Sequence, residues 1–266
     1  MLFAIPTLAA CLSAAMAGAW QIALQTGKSG WIDATWSLAT GLAGATVAVV
    51  PFADGEITNR QILVAAMAAL WSLRLGIHIA ARTTRSGDDP RYRQLRDDWG
   101  DAYATRLFWF LQIQALAGLV LALTVMIAAR NPGPTLTVID AIGAAILLVG
   151  VVGEEIADRQ LAAFRANPER KQMVCEVGLW SVSRHPNYFF EWLCWVAYAV
   201  IALGPSQRYP WGWLAVAGPC MMYWLLVHAS GIPPLEAHMQ RSRGRSFNDY
   251  QQRVNAFWPG PQRTVS

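Results

Sequence analysis

Apolar residues in this chain come in long runs, separated by short charged stretches. Seven runs can be drawn: Leu2–Leu24, Trp31–Phe52, Ile62–Ala81, Leu107–Ala129, Leu136–Val152, Tyr188–Leu203 and Trp211–His228. Several approach the roughly 20 residues a helix needs to cross a bilayer. The fifth and sixth are short, so their helices should extend into the flanking polar sequence. The first run carries no charge and lacks the basic leader of a signal peptide, which favours a span; cleavage after the Ala-Gly-Ala before Trp20 is the alternative. The pattern predicts an all-α, polytopic membrane protein with seven transmembrane helices. No internal repeat and no domain-sized linker interrupts it, so residues 1–266 form a single integral-membrane domain.

Composition supports this reading. Of the 266 residues, 55% are hydrophobic and 14% charged, against roughly 25% charged in a soluble domain. That excludes a disordered chain and argues against a soluble enzyme. The net charge of +4 follows from topology, without a nucleic-acid partner. Six arginines lie between Arg82 and Arg106, five basic residues between Arg159 and Arg184, and five after His228; with Lys28 they fall on one face of a seven-span protein. The other face keeps Arg60, Arg130 and Arg208, and Arg74 remains inside. The positive-inside rule then places the C-terminus in the cytoplasm and the N-terminus outside. Cys11, Cys175, Cys194 and Cys220 are scattered, with neither a disulfide framework nor a metal spacing.

Three cytoplasmic stretches and the tail carry candidate chemistry. In Gly87-Asp88-Asp89-Pro90-Arg91-Tyr92-Arg93, Pro90 imposes an extended entry, and Arg91 and Arg96 can meet phosphate; solvated topological charges are the plainer reading. Glu154, Asp158 and Arg165 are spaced i, i+4, i+11 on one helical face, where carboxylates can accept from sugar hydroxyls or an amide and the arginine can reach a phosphate. Surface ion pairing is the alternative. In residues 178–191, Pro186 opens the sixth helix, with Arg184, His185, Asn187 and Tyr188 around its positive end. Glu191 lies in an apolar helix and needs a partner or a ligand. In the tail, Glu236, Arg243 and Tyr250 are seven apart and share a face if one helix runs through them. That helix is either a lid over a ligand or an amphipathic helix lying on lipid.

The run Gly178-Leu-Trp-Ser-Val-Ser-Arg-His-Pro-Asn-Tyr-Phe-Phe-Glu191 resembles the signature of the steroid 5α-reductase superfamily, above all its bacterial reductase-like branch. Asp33 with Trp36, Trp71-x-x-Arg74-Leu75, Asp89-x-Arg91-Tyr92, Glu154-x-x-x-Asp158-x-Gln160 and the tail from Leu235-Glu236 to Pro259 extend the resemblance over most of the chain, with the signature-bearing part about residues 62–260. It implies a seven-helix enzyme whose NADPH lies in a cytoplasmic cavity. Arg91, Tyr92, Asp158, Arg165, Asn187 and Glu191 match cofactor positions. Glu154, Arg184, His185, Glu236, Arg243 and Tyr250 are added from the same motifs, and Glu154 stands where the animal enzymes have asparagine. Ala39-Thr40 occupy the place of the animal Gln-Glu pair that grips a steroid ketone, and Leu75 that of a tyrosine. The implied substrate is therefore a lipophilic enone, steroid-like or another lipid, entering from the bilayer.

Hydride transfer to an activated C=C leaves an enolate to stabilise and a proton to supply. Asp33, Arg74 and His78 are ionisable groups in the early helices, and Tyr188 adjoins the cofactor motif; these four are the catalytic candidates. Asp33–Arg74 as a plain buried ion pair is the competing reading. No metal is called for. An alternative comes from Arg184-His185-Pro186-x-Tyr188 with Glu236 and Tyr250, which also resemble isoprenylcysteine carboxyl methyltransferases that use S-adenosylmethionine. A lipid-binding scaffold without catalysis is a third reading. The alanine-rich composition, with arginine over lysine, suggests a bacterial inner membrane, and no protein partner is called for.

Overall fold

The computed structural model describes residues 4–51, 55–85, 88–133, 135–170, 173–204 and 209–264. Leu2, Phe52, Gly87, Lys171 and Arg208, which entered the sequence reading, lie outside the described residues. The described residues are helical and contain no strand. The helices are α1 (Ala4–Thr26), α2 (Gly30–Val49), α3 (Asn59–Arg85), α4 (Pro90–Trp99), α5 (Tyr103–Ala129), α6 (Val138–Ala166), α7 (Pro186–Ala202), α8 (Ala217–Trp224), α9 (Ile232–Arg243) and α10 (Arg245–Arg253). Among the described residues, each of the seven apolar runs is mostly helical.

Among the described residues, four helical stretches are long and apolar enough to cross a membrane: Ile5–Thr26, Asn59–Arg85, Pro90–Ala129 and Pro210–Arg243. The other three runs are helical but fall short of that standard for identifiable reasons. Helix α2 is diluted by Gly, Ser, Thr and Asp33. The apolar part of α6 is bracketed by Asp140 and by Glu154 and Glu155. Helix α7 has 17 residues.

The chain divides into two compact units. The first holds Met1–Ala144 and Tyr198–Gly218, the second Ala145–Ala197 and Pro219–Ser266. In the first unit, α1, α2, α3 and α5 pack together. Close approach requires residues without side chains: a Cβ on Gly41 would lie 2.0 Å from Ser72 Cβ, and one on Gly118 2.7 Å from Thr40 Oγ1. Helix α3 opens with a reciprocal capping box. Thr58 N–H donates to Gln61 Oε1 at 2.9 Å, and Gln61 N–H donates to Thr58 Oγ1 at 3.2 Å.

Arg60, counted from sequence on the less basic face, is only 4% exposed. Its guanidinium pairs with Asp140 through Nε (2.7 Å) and a terminal nitrogen (2.8 Å), and donates to the carbonyls of Asn131, Gly133 and Thr135. It clamps the turn between α5 and α6.

In the second unit, α6 and α7 meet at Gly150 and Gly153, where a Cβ would fall 2.5 Å from Cys194 Sγ and 2.4 Å from the Phe190 ring. Small residues at such crossings let apolar helices approach closely.

Candidate functional site

The polar groups assemble into a separate cluster within each unit. In the first unit the organising element is the start of α4. Asp89 is its N-cap, with extended backbone (ψ 129°), and its carboxylate accepts from Arg91 N–H at 2.9 Å. Pro90 follows at the first helical position, where its missing N–H costs nothing. The extended entry expected before Pro90 is therefore the cap of a helix. Asp89 Oδ1 also receives Arg91 Nε, and Oδ2 a terminal Arg91 nitrogen, both at 3.0 Å. Burial raises the Asp89 carboxyl, but the charge and hydrogen bonds of Arg91 and the charge of Arg82 outweigh it and hold the group below the ordinary carboxylate range.

From α2, Asp33 closes on the same arginine. Its Oδ2 receives Arg91 at 2.5 Å, and its Oδ1 accepts the Tyr92 hydroxyl at 2.9 Å. Tyr92 is 3% exposed. Gln114 of α5 donates to the Tyr92 oxygen at 3.5 Å, and its backbone carbonyl accepts the Trp36 indole N–H at 2.9 Å. Trp36 in turn meets the buried Trp71 edge-on, with ring centroids 6.5 Å apart. Asp88 receives the Ser29 backbone N–H at 2.9 Å and the Ser29 hydroxyl through a short hydrogen bond.

Asp33, taken from sequence as a catalytic candidate, thus joins Arg91 and Tyr92, taken as cofactor ligands. Arg91 faces two carboxylates, which offsets the free positive charge a phosphate would seek. Arg74 and His78 lie one turn apart on α3, both half-buried, as their i, i+4 spacing predicts. Gln114 was missed. A polar residue within an apolar span was the available signal.

In the second unit the organising element is the start of α7. Residues 178–181 form a 3₁₀ turn, and Pro186 opens the helix as predicted. Gly178 has φ 59°, a left-handed conformation that suits glycine, and a Cβ there would lie 2.3 Å from Gln160 Nε2. Gln160 Oε1 accepts from Leu179 N–H at 2.9 Å.

Arg184 is held by four hydrogen bonds: to Glu236 Oε1 (2.7 Å) and Oε2 (3.2 Å), and to the carbonyls of Gln251 (3.2 Å) and Val254 (2.5 Å). His185 Nε2 lies 3.0 Å from Glu236 Oε1, and Gln251 Nε2 donates to Glu236 Oε2 at 2.7 Å. Glu236 is therefore the hub of the cluster. His185 is 3% exposed, and its Nδ1 is buried without a hydrogen-bond partner. Burial lowers the imidazole pKa, against the opposing pull of Glu236, and favours the neutral ring. The ring stacks on Tyr188, with centroids 5.5 Å apart and planes 11° apart.

Asn187 donates to Asp158 of α6 at 3.5 Å. Glu191, 6% exposed, accepts the Trp195 indole N–H at 3.0 Å, so an indole one turn away meets the predicted need for a partner. Glu154 is buried, Asp158 half-buried and Arg165 exposed on α6.

The tail departs from expectation. The helix does not run from Glu236 to Tyr250; it breaks at Gly244, whose φ is 54° and ψ −122°, and restarts as α10. Spacing of seven therefore does not put Glu236, Arg243 and Tyr250 on one helical face. Glu236 is on α9 and Tyr250 on α10. Tyr250 is buried and donates to the Trp180 carbonyl at 2.5 Å. Burial raises its phenol pKa, so it donates as a neutral hydroxyl. Backbone bonds from Arg184 N–H to the Asn255 carbonyl (2.9 Å) and from Gly260 N–H to the Val182 carbonyl (3.0 Å) tie the tail to the signature run. The tail is thus packed against the signature run.

Residues 19–254 match one family model, described as a protein of unknown function (DUF1295). The chain belongs to that family. No curated protein matches the chain significantly.

Proposed function

We propose that this DUF1295 protein is a membrane-embedded reductase of the steroid 5α-reductase type, which uses NADPH to reduce an activated C=C bond in a lipophilic enone. In this reading the chain crosses a bacterial inner membrane seven times, with its C-terminus and cofactor residues toward the cytoplasm. The observation that carries the reading is the closure of Asp33 on Arg91 and Tyr92. Those three positions belong to marks of the reductase branch and have no counterpart in the methyltransferase resemblance. The Arg184–His185–Glu236–Tyr250 positions are common to both, and their gathering in one unit favours a second reading, S-adenosylmethionine-dependent carboxyl methylation.

The residues fit a dinucleotide in a particular way. Arg184 is spent on Glu236 and two carbonyls, so it positions the start of α7 and does not serve a phosphate. Asp158, Asn187 and Glu191 carry hydroxyl- and amide-binding capacity, and the exposed Arg165 is the phosphate candidate. Bound NADPH would supply the hydride. Asp33 has both oxygens engaged, which suits it to holding Arg91 and Tyr92 and not to donating a proton. Arg74, His78 and Tyr188 are the groups proposed to polarise the substrate carbonyl or return a proton.

The test is thermal unfolding of detergent-purified protein with NADPH, NADH and S-adenosylmethionine. Stabilisation by NADPH is expected. Stabilisation by S-adenosylmethionine alone would replace the reductase with the methyltransferase, and stabilisation by none of them would favour a lipid-binding scaffold. Arg165→Ala should weaken NADPH more than NADH; equal weakening would remove Arg165 from the 2′-phosphate.

A further inference from the structure

The His185–Glu236 pair assigns an atom-level role that residue matching does not provide. Glu236 faces Arg184 and Gln251 as well as His185, and both of its oxygens accept hydrogen bonds. A carboxylate so placed is an acceptor, so the ring nitrogen 3.0 Å away must carry the proton. In a neutral ring the other nitrogen, Nδ1, then carries a lone pair. It is buried, and among the described residues no group donates to it. The charged groups facing the ring are Arg184, from its own segment, and Glu236, from α9; Tyr188 covers one ring face. An acceptor lone pair beside the positive end of α7 does not suit an anion. It suits an uncharged N–H or O–H.

We propose that Glu236 holds His185 as the Nε2–H tautomer and that Nδ1 accepts a hydrogen bond from an uncharged N–H or O–H of the bound dinucleotide. This rests on the reductase reading. Two parts of a nicotinamide dinucleotide carry such donors: the carboxamide on one side, and the ribose hydroxyls and adenine amine on the other. Glu236 is then a positioning residue, and His185 the group that touches the cofactor.

Two measurements test this. In ¹⁵N-histidine-labelled protein at about pH 8, the resonances lost in His185→Gln should show a bare Nδ1 and a protonated Nε2. A protonated Nδ1 would overturn the tautomer assignment. Glu236→Gln should release the preference, because an amide can also donate to the ring; a retained Nε2–H tautomer would remove Glu236 from the positioning role.

The second measurement is binding of NADPH and of its 3-acetylpyridine analogue, which lacks the carboxamide N–H, to wild type and His185→Gln. Glutamine can still donate to Glu236. The substitution should weaken NADPH by about fivefold to tenfold, the scale of one net hydrogen bond. If the analogue is unaffected, the donor is the carboxamide; if it weakens equally, the donor is ribose or adenine. Unchanged NADPH affinity in His185→Gln overturns the inference while the reductase stands. Failure of wild type to bind any dinucleotide overturns the reductase reading and the ligand assignment with it, and the tautomer is still decided by its nitrogen resonances.

Discussion

Asp33 and Arg91, 58 positions apart, meet at 2.5 Å, and the second oxygen of the same Asp33 carboxylate takes the Tyr92 hydroxyl. One side chain of α2 thereby fixes the first turn of α4. Both partners are largely shielded, with Arg91 24% and Asp33 19% exposed, so solvent screens the pair only in part. Asp33→Ala leaves the buried Tyr92 hydroxyl without its acceptor and should cost about 1–3 kcal/mol. Asp33→Asn keeps an acceptor for Tyr92 and should cost less. Thermal unfolding of the two variants side by side checks the order, and an equal loss would mean that only the charge facing Arg91 matters.

The Arg60–Asp140 pair should be the most sensitive ionic contact of the first unit. Both groups are almost fully buried, and removal of either strands the other, at about 3–5 kcal/mol. Replacing both by Met and Leu should recover only part of the loss, because the carbonyls of Asn131, Gly133 and Thr135 also lose their donor. Full recovery in a denaturant series would show that the carbonyl bonds contribute little.

His185 makes stability fall with acidity. Its folded-state pKa is lowered, chiefly by burial, below the roughly 6.5 of an unfolded histidine. As pH drops below that value the unfolded chain takes up a proton that the folded ring resists, so folding loses stability from about pH 6.5 down toward the folded pKa. Above that window the contribution is constant. The unfolding midpoint of wild type should decline across it more steeply than that of His185→Gln; parallel curves would show that other groups set the acid limit.

Gly244 and Gly178 separate two kinds of glycine requirement. Both have positive φ, but a Cβ on Gly244 would meet nothing within 4 Å, whereas one on Gly178 would strike Gln160. Gly244→Ala should therefore cost only backbone strain, about 1–3 kcal/mol. Gly178→Ala should cost that and also displace the Gln160 bond to Leu179, giving the larger drop in unfolding temperature. A smaller drop for Gly178→Ala would mean that Gln160 moves aside freely.

What the amino-acid sequence determined alone was local. Apolar runs became helices because their residues bury best that way. Pro186 opened α7 because proline fits a first turn, and Glu154, Asp158 and Arg165 shared α6 because 3.6-residue periodicity requires it. Even the failure at Gly244 was local, since a glycine in the spacing-of-seven pattern was the visible warning. Tertiary structure decided the partners. Nothing in the order of residues marks Arg91 and Tyr92 as partners of Asp33, or Arg60 as buried against Asp140, 80 positions away. Nor could it show that one carboxylate, Glu236, serves Arg184, His185 and Gln251 together. Arginines and carboxylates are chemically interchangeable along the chain. Only packing brings a particular pair within hydrogen-bond reach and excludes the water that would otherwise satisfy both.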